Sequence, residues 1–217
     1  MSVKESSSAL LLGDLTAPRY HPLQAAMEEI RTIFGEEELA WTVTEDYGCL
    51  RGSELAPFDL VVSYSDAWRS KKAREEVAGL LGYVSGGGGL LVMHNGISLQ
   101  ADPELAQLIG ARFTGHPEYT SLPFHPAEGA AEHEIMQGIE PFTIDEEPYR
   151  FQMDPIGETT ILMEYEHEGA RWPAAWAHAF GLGRVVYLMP GHHNPSFLNP
   201  AYRRLIKQAG LWALRQT

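Results

Sequence analysis

"SGGGGLLVMHNGIS", residues 85–98, is the stretch on which the fold turns. Four glycines run into a short apolar segment, Leu90 to Met93, and the chain then becomes abruptly polar at His94-Asn95-Gly96. A short apolar run bounded by turn formers reads as a buried strand of a parallel sheet. A polar group at its carboxyl end is what such a strand delivers to a ligand crevice. The glycines look like a phosphate loop, but they lack the Gly-Lys-Ser/Thr ending. They also precede a strand rather than a helix, so their amides do not sit at a helix N-terminus. They read instead as a tight helix-to-strand turn.

The same grammar extends in both directions. Ala9 to Leu12 reads as a buried strand closed by Gly13-Asp14. Residues 21–35 carry Leu23, Met27, Ile30 and Phe34 at helical spacing, and Gly35 stops the helix. Strands are predicted over 40–46, which alternates, and over 58–66, which is apolar and then polar. Residues 71–87 form a predicted helix with Val77, Leu80, Leu81 and Val84 on one face. The next helix, 103–110, opens on Pro103, a favoured first-turn position. This order predicts a parallel sheet with helices on both faces. The stretch 113–170 breaks the rhythm and reads as strands and loops, among them "YTSLPF" and "TILMEYE". "AAWAHAF" and "RVVYLMP" (184–190) read as paired strands, and 199–214 as a closing helix. With no repeat and no linker, the expectation is one domain over 1–217 with a loop-rich strand insertion around 113–170.

Composition excludes several classes. The chain has 217 residues, 44% hydrophobic and 21% charged, as expected of a globular protein with a large core. Its 16 basic and 29 acidic residues give a net charge of −13. That argues against nucleic-acid or anionic-membrane partners, which need clustered Lys and Arg. The densest basic stretches, 69–74 and 202–204, fall on predicted helices and read as solvated faces. A single cysteine, Cys49, excludes an intrachain disulfide and a Cys-rich metal site. The apolar run Ala9 to Leu12 is too short for a signal-peptide core, so a soluble cytoplasmic protein is expected.

In open parallel sheets, ligands sit at the carboxyl ends of the strands. Behind the first predicted strand come Gly13, Asp14 and His21. Behind the third come Ser63, Ser65 and Asp66, and behind the fourth His94, Asn95 and Gly96. Behind 184–190 come Gly191, His192, His193 and Asn194. Three of these four ends carry a histidine, and that coincidence marks a site. Any one of them alone reads as a hydrogen-bonded loop residue, and Asp66 alone as a helix cap.

Four blocks resemble the trehalose-utilisation (ThuA-like) family: "GGGLLVMHNG", "GARFTGHPE" (110–118), "DEEPYRF" (145–151) and the long segment 172–213. That family belongs to the class I glutamine-amidotransferase-like superfamily. The resemblance implies a flavodoxin-like three-layer α/β sandwich with a central, mostly parallel sheet. It places His94 where amidotransferases carry the cysteine of a Gly-x-Cys-x-Gly elbow, matched here by Val92-Met93-His94-Asn95-Gly96. The amidotransferase His-x-Glu maps to His192-His193-Asn194, with Asn194 in place of the carboxylate. Cys49, in the turn-like "TEDYGCLRG", resembles no elbow, so thiolate chemistry is absent. His116 matches the family's "FTGHP", and Glu147 with Tyr149 matches its Asp-Glu-x-Tyr pattern, the register Asp145–Glu146 being the alternative.

Imidazole serves proton transfer near neutral pH or divalent-metal binding. The residues expected to act are His94, His192, Glu147 and Tyr149, with His21, Asp66, Asn95, His116 and His193 binding substrate. A divalent metal (Zn, Mn or Fe), if used, is expected on His94, His116 and His192. No compact His-x-x-x-His motif is present, so such a site is assembled from distant segments. His133 and His178 have no motif support and read as surface or strand residues, and Trp172 and Trp176 as core or pocket wall. The family implies a sugar ligand, trehalose or a related disaccharide or its keto form. A keto-sugar suits proton abstraction next to the carbonyl, with a metal or second histidine steadying the enediolate. The alternatives are a non-catalytic sugar-binding or regulatory protein and, last, a cysteine-free amidotransferase-like hydrolase. The segment 180–189 and the last helix also offer apolar material for a homo-oligomer.

Overall fold

The computed structural model describes residues 7–16, 20–35 and 39–215. Its strands are β1 (Ser7–Gly13), β2 (Leu39–Thr44), β3 (Leu60–Tyr64), β4 (Gly89–Met93), β5 (Ala111–Gly115), β6 (Thr120–Pro126), β7 (Phe142–Glu146), β8 (Arg150–Met153), β9 (Thr160–His167), β10 (Ala170–Phe180) and β11 (Gly183–Leu188). The helices are α1 (Leu23–Phe34), the short α2 (Gly52–Leu55), α3 (Arg74–Ser85), α4 (Pro103–Ile109) and α5 (Pro200–Ala213). Nine strands form one sheet in the order β2-β1-β3-β4-β11-β10-β9-β6-β7. The first five run parallel and the remaining pairings are antiparallel.

The parallel half follows from composition. Every residue of β3 and β4 is buried, and all but Ser63 and Gly89 are hydrophobic, as suits parallel strands covered on both faces. α1 packs on α5, while α3 packs on α2 and α4, so the sheet is flanked by two groups of helices. The glycine run behaves as expected: α3 ends at Ser85, β4 begins at Gly89, and the residues between make the turn.

The segment 113–170 holds more regular structure than its composition suggests. β6, β7 and β9 extend the main sheet, while β5 and β8 pair as a separate ribbon. Pro123 and Pro126 interrupt the strand signal of β6, yet Leu122 and Phe124 still point into the core. One expectation fails at Lys72. It is buried rather than solvated, its ammonium 3.5 Å from the centre of the Tyr47 ring, and the basic stretch 69–73 precedes α3 rather than lying within it. Among the described residues, no helix is long and apolar enough to cross a membrane.

Candidate functional site

The sheet register brings the expected strand ends level. Gly13 pairs with Tyr64, Ser63 with Val92, and Leu188 with Met93. These strands are parallel, so the segments that leave them enter one crevice. After β4 the chain makes a sharp elbow: His94 adopts φ +43°, the left-handed region that few side chains occupy. A 3₁₀ turn over His94–Ala101 follows. It runs so close to β3 that a Cβ on Gly96 would lie 2.1 Å from the Ser63 carbonyl oxygen.

Three imidazoles and one carboxylate meet at this elbow. The ligand atoms of His21, His94, Glu147 and His192 all lie within 4.8 Å of one another. His192 Nδ1 is 3.2 Å from both His21 Nε2 and Glu147 Oε2, and His94 Nε2 is 3.5 Å from Glu147 Oε2. Outer partners fix two of the rings. His94 Nδ1 donates to the Met189 carbonyl (2.8 Å), and His21 Nδ1 donates to the Asp66 carboxylate (3.1 Å). Both partners only accept, so in the neutral rings the Nε2 atoms are left as bare lone pairs. His94 Nε2 is buried without a hydrogen bond of its own.

The electrostatics follow from this crowding. Burial pushes His94 down to about 4, against a smaller opposing pull from Glu147. Burial alone would raise the Glu147 carboxyl, but the hydrogen bond from His192, with the His94 ring close by, holds it well below the usual carboxylate range. Glu147 in turn raises His192. Burial likewise works against the ionised Asp66, but hydrogen bonds from His21, Trp68 and Asn95 and the charge interaction with His21 together lower it. The neighbouring Glu146 is fully buried and pushed up to about 7, partly offset by hydrogen bonds from Ser196, Gly191 and His192.

Above the cluster opens a cavity of about 540 Å³ lined by aromatic and titratable side chains, including Tyr20, Trp68, Phe113, His116 and Tyr149. Tyr149 stacks on His94 with ring centres 4.5 Å apart.

A family model for trehalose utilisation (ThuA) matches residues 9–213. The chain belongs to the ThuA family. No curated protein matches it. Among solved structures it is similar to a protein from Bacteroides uniformis ATCC 8492 described as ThuA-like, with TM-score 0.76 and 15% identity over 98% of this chain and 94% of that one. A second ThuA-like protein, from Parabacteroides merdae ATCC 43184, gives TM-score 0.77 and 15% identity over 97% and 90%. A β-galactosidase from Rahnella sp. R3 shares the fold over 97% of this chain and 31% of its own, with TM-score 0.63 and 15% identity.

Within this ThuA-family chain, the expected residues are distributed in layers. His94, His192, Glu147 and His21 share the cluster, and Asp66 stands behind His21. His116 is not in that group. Its Nε2 lies 3.8 Å from the outer oxygen of Glu147, Oε1, and its ring is part-exposed at the cavity. The compact group of side chains that could hold a metal ion thus includes His21 and Glu147 beside His94 and His192, with His116 next to it. Asn95 is fully buried and donates to the Tyr64 carbonyl (3.3 Å), away from the cavity. His193 stands at the exposed rim against the Tyr119 hydroxyl.

The remaining residues fall outside the site. His178 is buried in β10 and faces the Leu108 carbonyl, and His133 caps a short turn at Ile135. Trp176 is core, its indole donating to Ile109. Burial pushes the Cys49 thiol up to about 12, which suits no nucleophile. Trp68 and Phe113 were not singled out as wall residues by sequence reasoning. Trp68 follows Asp66 by two residues and donates to it, so the polar end of β3 held the signal.

Proposed function

We propose that this ThuA-family protein is a sugar-acting enzyme whose His21–His94–Glu147–His192 cluster holds a divalent cation at the floor of the aromatic cavity. One observation carries the reading: the buried Nε2 of His94 has no hydrogen bond and faces the lone pairs of His21 and the charge of Glu147. Three neutral imidazoles and a carboxylate make a donor set suited to Zn, Mn or Fe(II). The Asp66–His21 and Met189–His94 hydrogen bonds are the outer contacts that orient ligating histidines. A cation bound here supplies Lewis acidity, polarising a carbonyl or hydroxyl oxygen of the sugar.

The chain's own groups do the rest. Trp68, Phe113 and Tyr149 offer apolar faces to the C–H surfaces of a sugar ring. His116 Nδ1 donates to the Pro117 carbonyl (2.8 Å), which leaves Nε2 as the proton acceptor at the cavity wall. In this reading it takes a proton from a carbon next to the carbonyl of a keto-disaccharide. Metal analysis of the purified protein, combined with turnover of 3-keto-disaccharides, tests the reading. Stoichiometric Zn, Mn or Fe is expected, with metal and turnover both lost in His94→Ala. Normal turnover by His94→Ala, or by metal-free protein, overturns it.

A further inference from the structure

The chain from Met189 to His192 is fastened residue by residue. His94 Nδ1 donates to the Met189 carbonyl (2.8 Å), the Tyr202 hydroxyl to Pro190 (2.5 Å) and the Tyr64 hydroxyl to Gly191 (2.6 Å). The N–H groups of Gly191 (2.6 Å) and His192 (3.2 Å) both donate to Glu146 Oε1, and the Ser196 hydroxyl donates to the same oxygen. Packing cannot set this path by side-chain contact at Gly191. Its φ is +141°, and a Cβ there would sit 3.1 Å from that of His94. Hydrogen bonds hold it instead, and Glu146 is their fully buried hub.

Resting on the metal reading above, we propose that Glu146 is the positioning residue of the site. It fixes the backbone of His192 while its neighbour Glu147 meets the His192 imidazole at 3.2 Å. Two consecutive glutamates thus divide the work: one carboxylate grips the loop and the next faces the cluster. An apolar residue at 146 would spare the desolvation of a buried carboxylate but would leave four donors without it, the N–H groups of Gly191, His192 and Glu147 and the Ser196 hydroxyl, freeing the loop to carry His192 Nδ1 out of reach. A merely structural role lowers stability. A positioning role also changes how the cluster binds metal.

The test is Co²⁺ titration of the full-length protein by its visible absorption, for wild type, Glu146→Gln, Glu146→Ala and Ser196→Ala, with near-ultraviolet circular dichroism to establish folding. Folded Glu146→Gln is expected to bind Co²⁺ about 10- to 100-fold more weakly than wild type, the range for loss of an outer-shell partner, with a shifted d–d band. Ser196→Ala, which keeps the carboxylate, is expected to weaken binding less. Wild-type affinity and spectrum in folded Glu146→Gln overturn the proposal. Should neither Glu146 variant fold, Ser196→Ala decides, an unaltered affinity and spectrum counting against the proposal and a weakened one for it. Absence of Co²⁺ binding by wild type overturns the metal reading and this inference together, whereas tight wild-type binding with indifferent variants overturns this inference alone.

Discussion

At the scale of the residue, His94 concentrates the physics of the site. It sits at φ +43°, fully buried, with one ring nitrogen committed to Met189. Burial lowers it from 6.5 to about 4, so the folded chain binds its proton less readily than the unfolded chain does. Stability from this group is therefore full above pH 6.5 and is lost as pH falls toward 4. At 1.36 kcal/mol per pH unit the span is worth about 3 kcal/mol in the metal-free protein. Urea unfolding of wild type and His94→Gln, in EDTA between pH 4 and 7, reads the difference. Wild type should gain on the variant by about that amount as pH rises to 6.5, and parallel curves for the two proteins refute the assignment. Glu146 runs the other way, since a raised carboxyl loses stability as pH rises toward 7. Both proteins carry Glu146, so its contribution drops out of the comparison. The position of His94 was legible because a polar residue after an apolar run is a local pattern. That His21 rather than His116 completes the cluster was not, because it depends on where two loops cross the crevice.

At the scale of the element, the decisive contact is between the 3₁₀ turn after β4 and the end of β3. Gly96 is required there by proximity, with the Ser63 carbonyl 2.1 Å from where a Cβ would stand. Gly96→Ala must push the turn away from β3, and overpacking of this kind costs about 1–3 kcal/mol. The same displacement moves His94, so urea unfolding and Zn²⁺ affinity should fall together in this variant. A stable protein with intact affinity would show that the turn is softer than its packing implies. Helices α1, α3, α4 and α5 and strands β1 to β4 were all legible from period and punctuation. The β5–β8 ribbon was not, since its strands are 5 and 4 residues long and pair with each other across a connection that carries β6 and β7. Short strands with distant partners leave little periodic signal.

At the scale of the whole molecule, the parallel half of the sheet builds the crevice while the antiparallel half supplies what closes over it. Glu147 and Tyr149 arrive on the connection between β7, at the far edge of the sheet, and β8 in the separate ribbon. The cluster thus ties together segments as distant as His21 and His192, which only the folded chain assembles. A cation bound to those four residues stabilises the native state by mass action, by about 2.7 kcal/mol at a free concentration of 100 Kd. For a chain of 217 residues, each kcal/mol moves the thermal midpoint by roughly 2–4 °C. Saturating Zn²⁺ should therefore raise the midpoint by about 5–11 °C in scanning calorimetry, reversibly with EDTA. His21→Ala and His192→Ala should each abolish most of the shift, because each removes a ligand contributed by a different loop. His193→Ala should keep the full shift, since His193 stands at the rim against Tyr119 and outside the ligand group. An equal Zn²⁺ response in all four proteins would mean that the ion binds elsewhere, and the assembly of this crevice would then need another explanation.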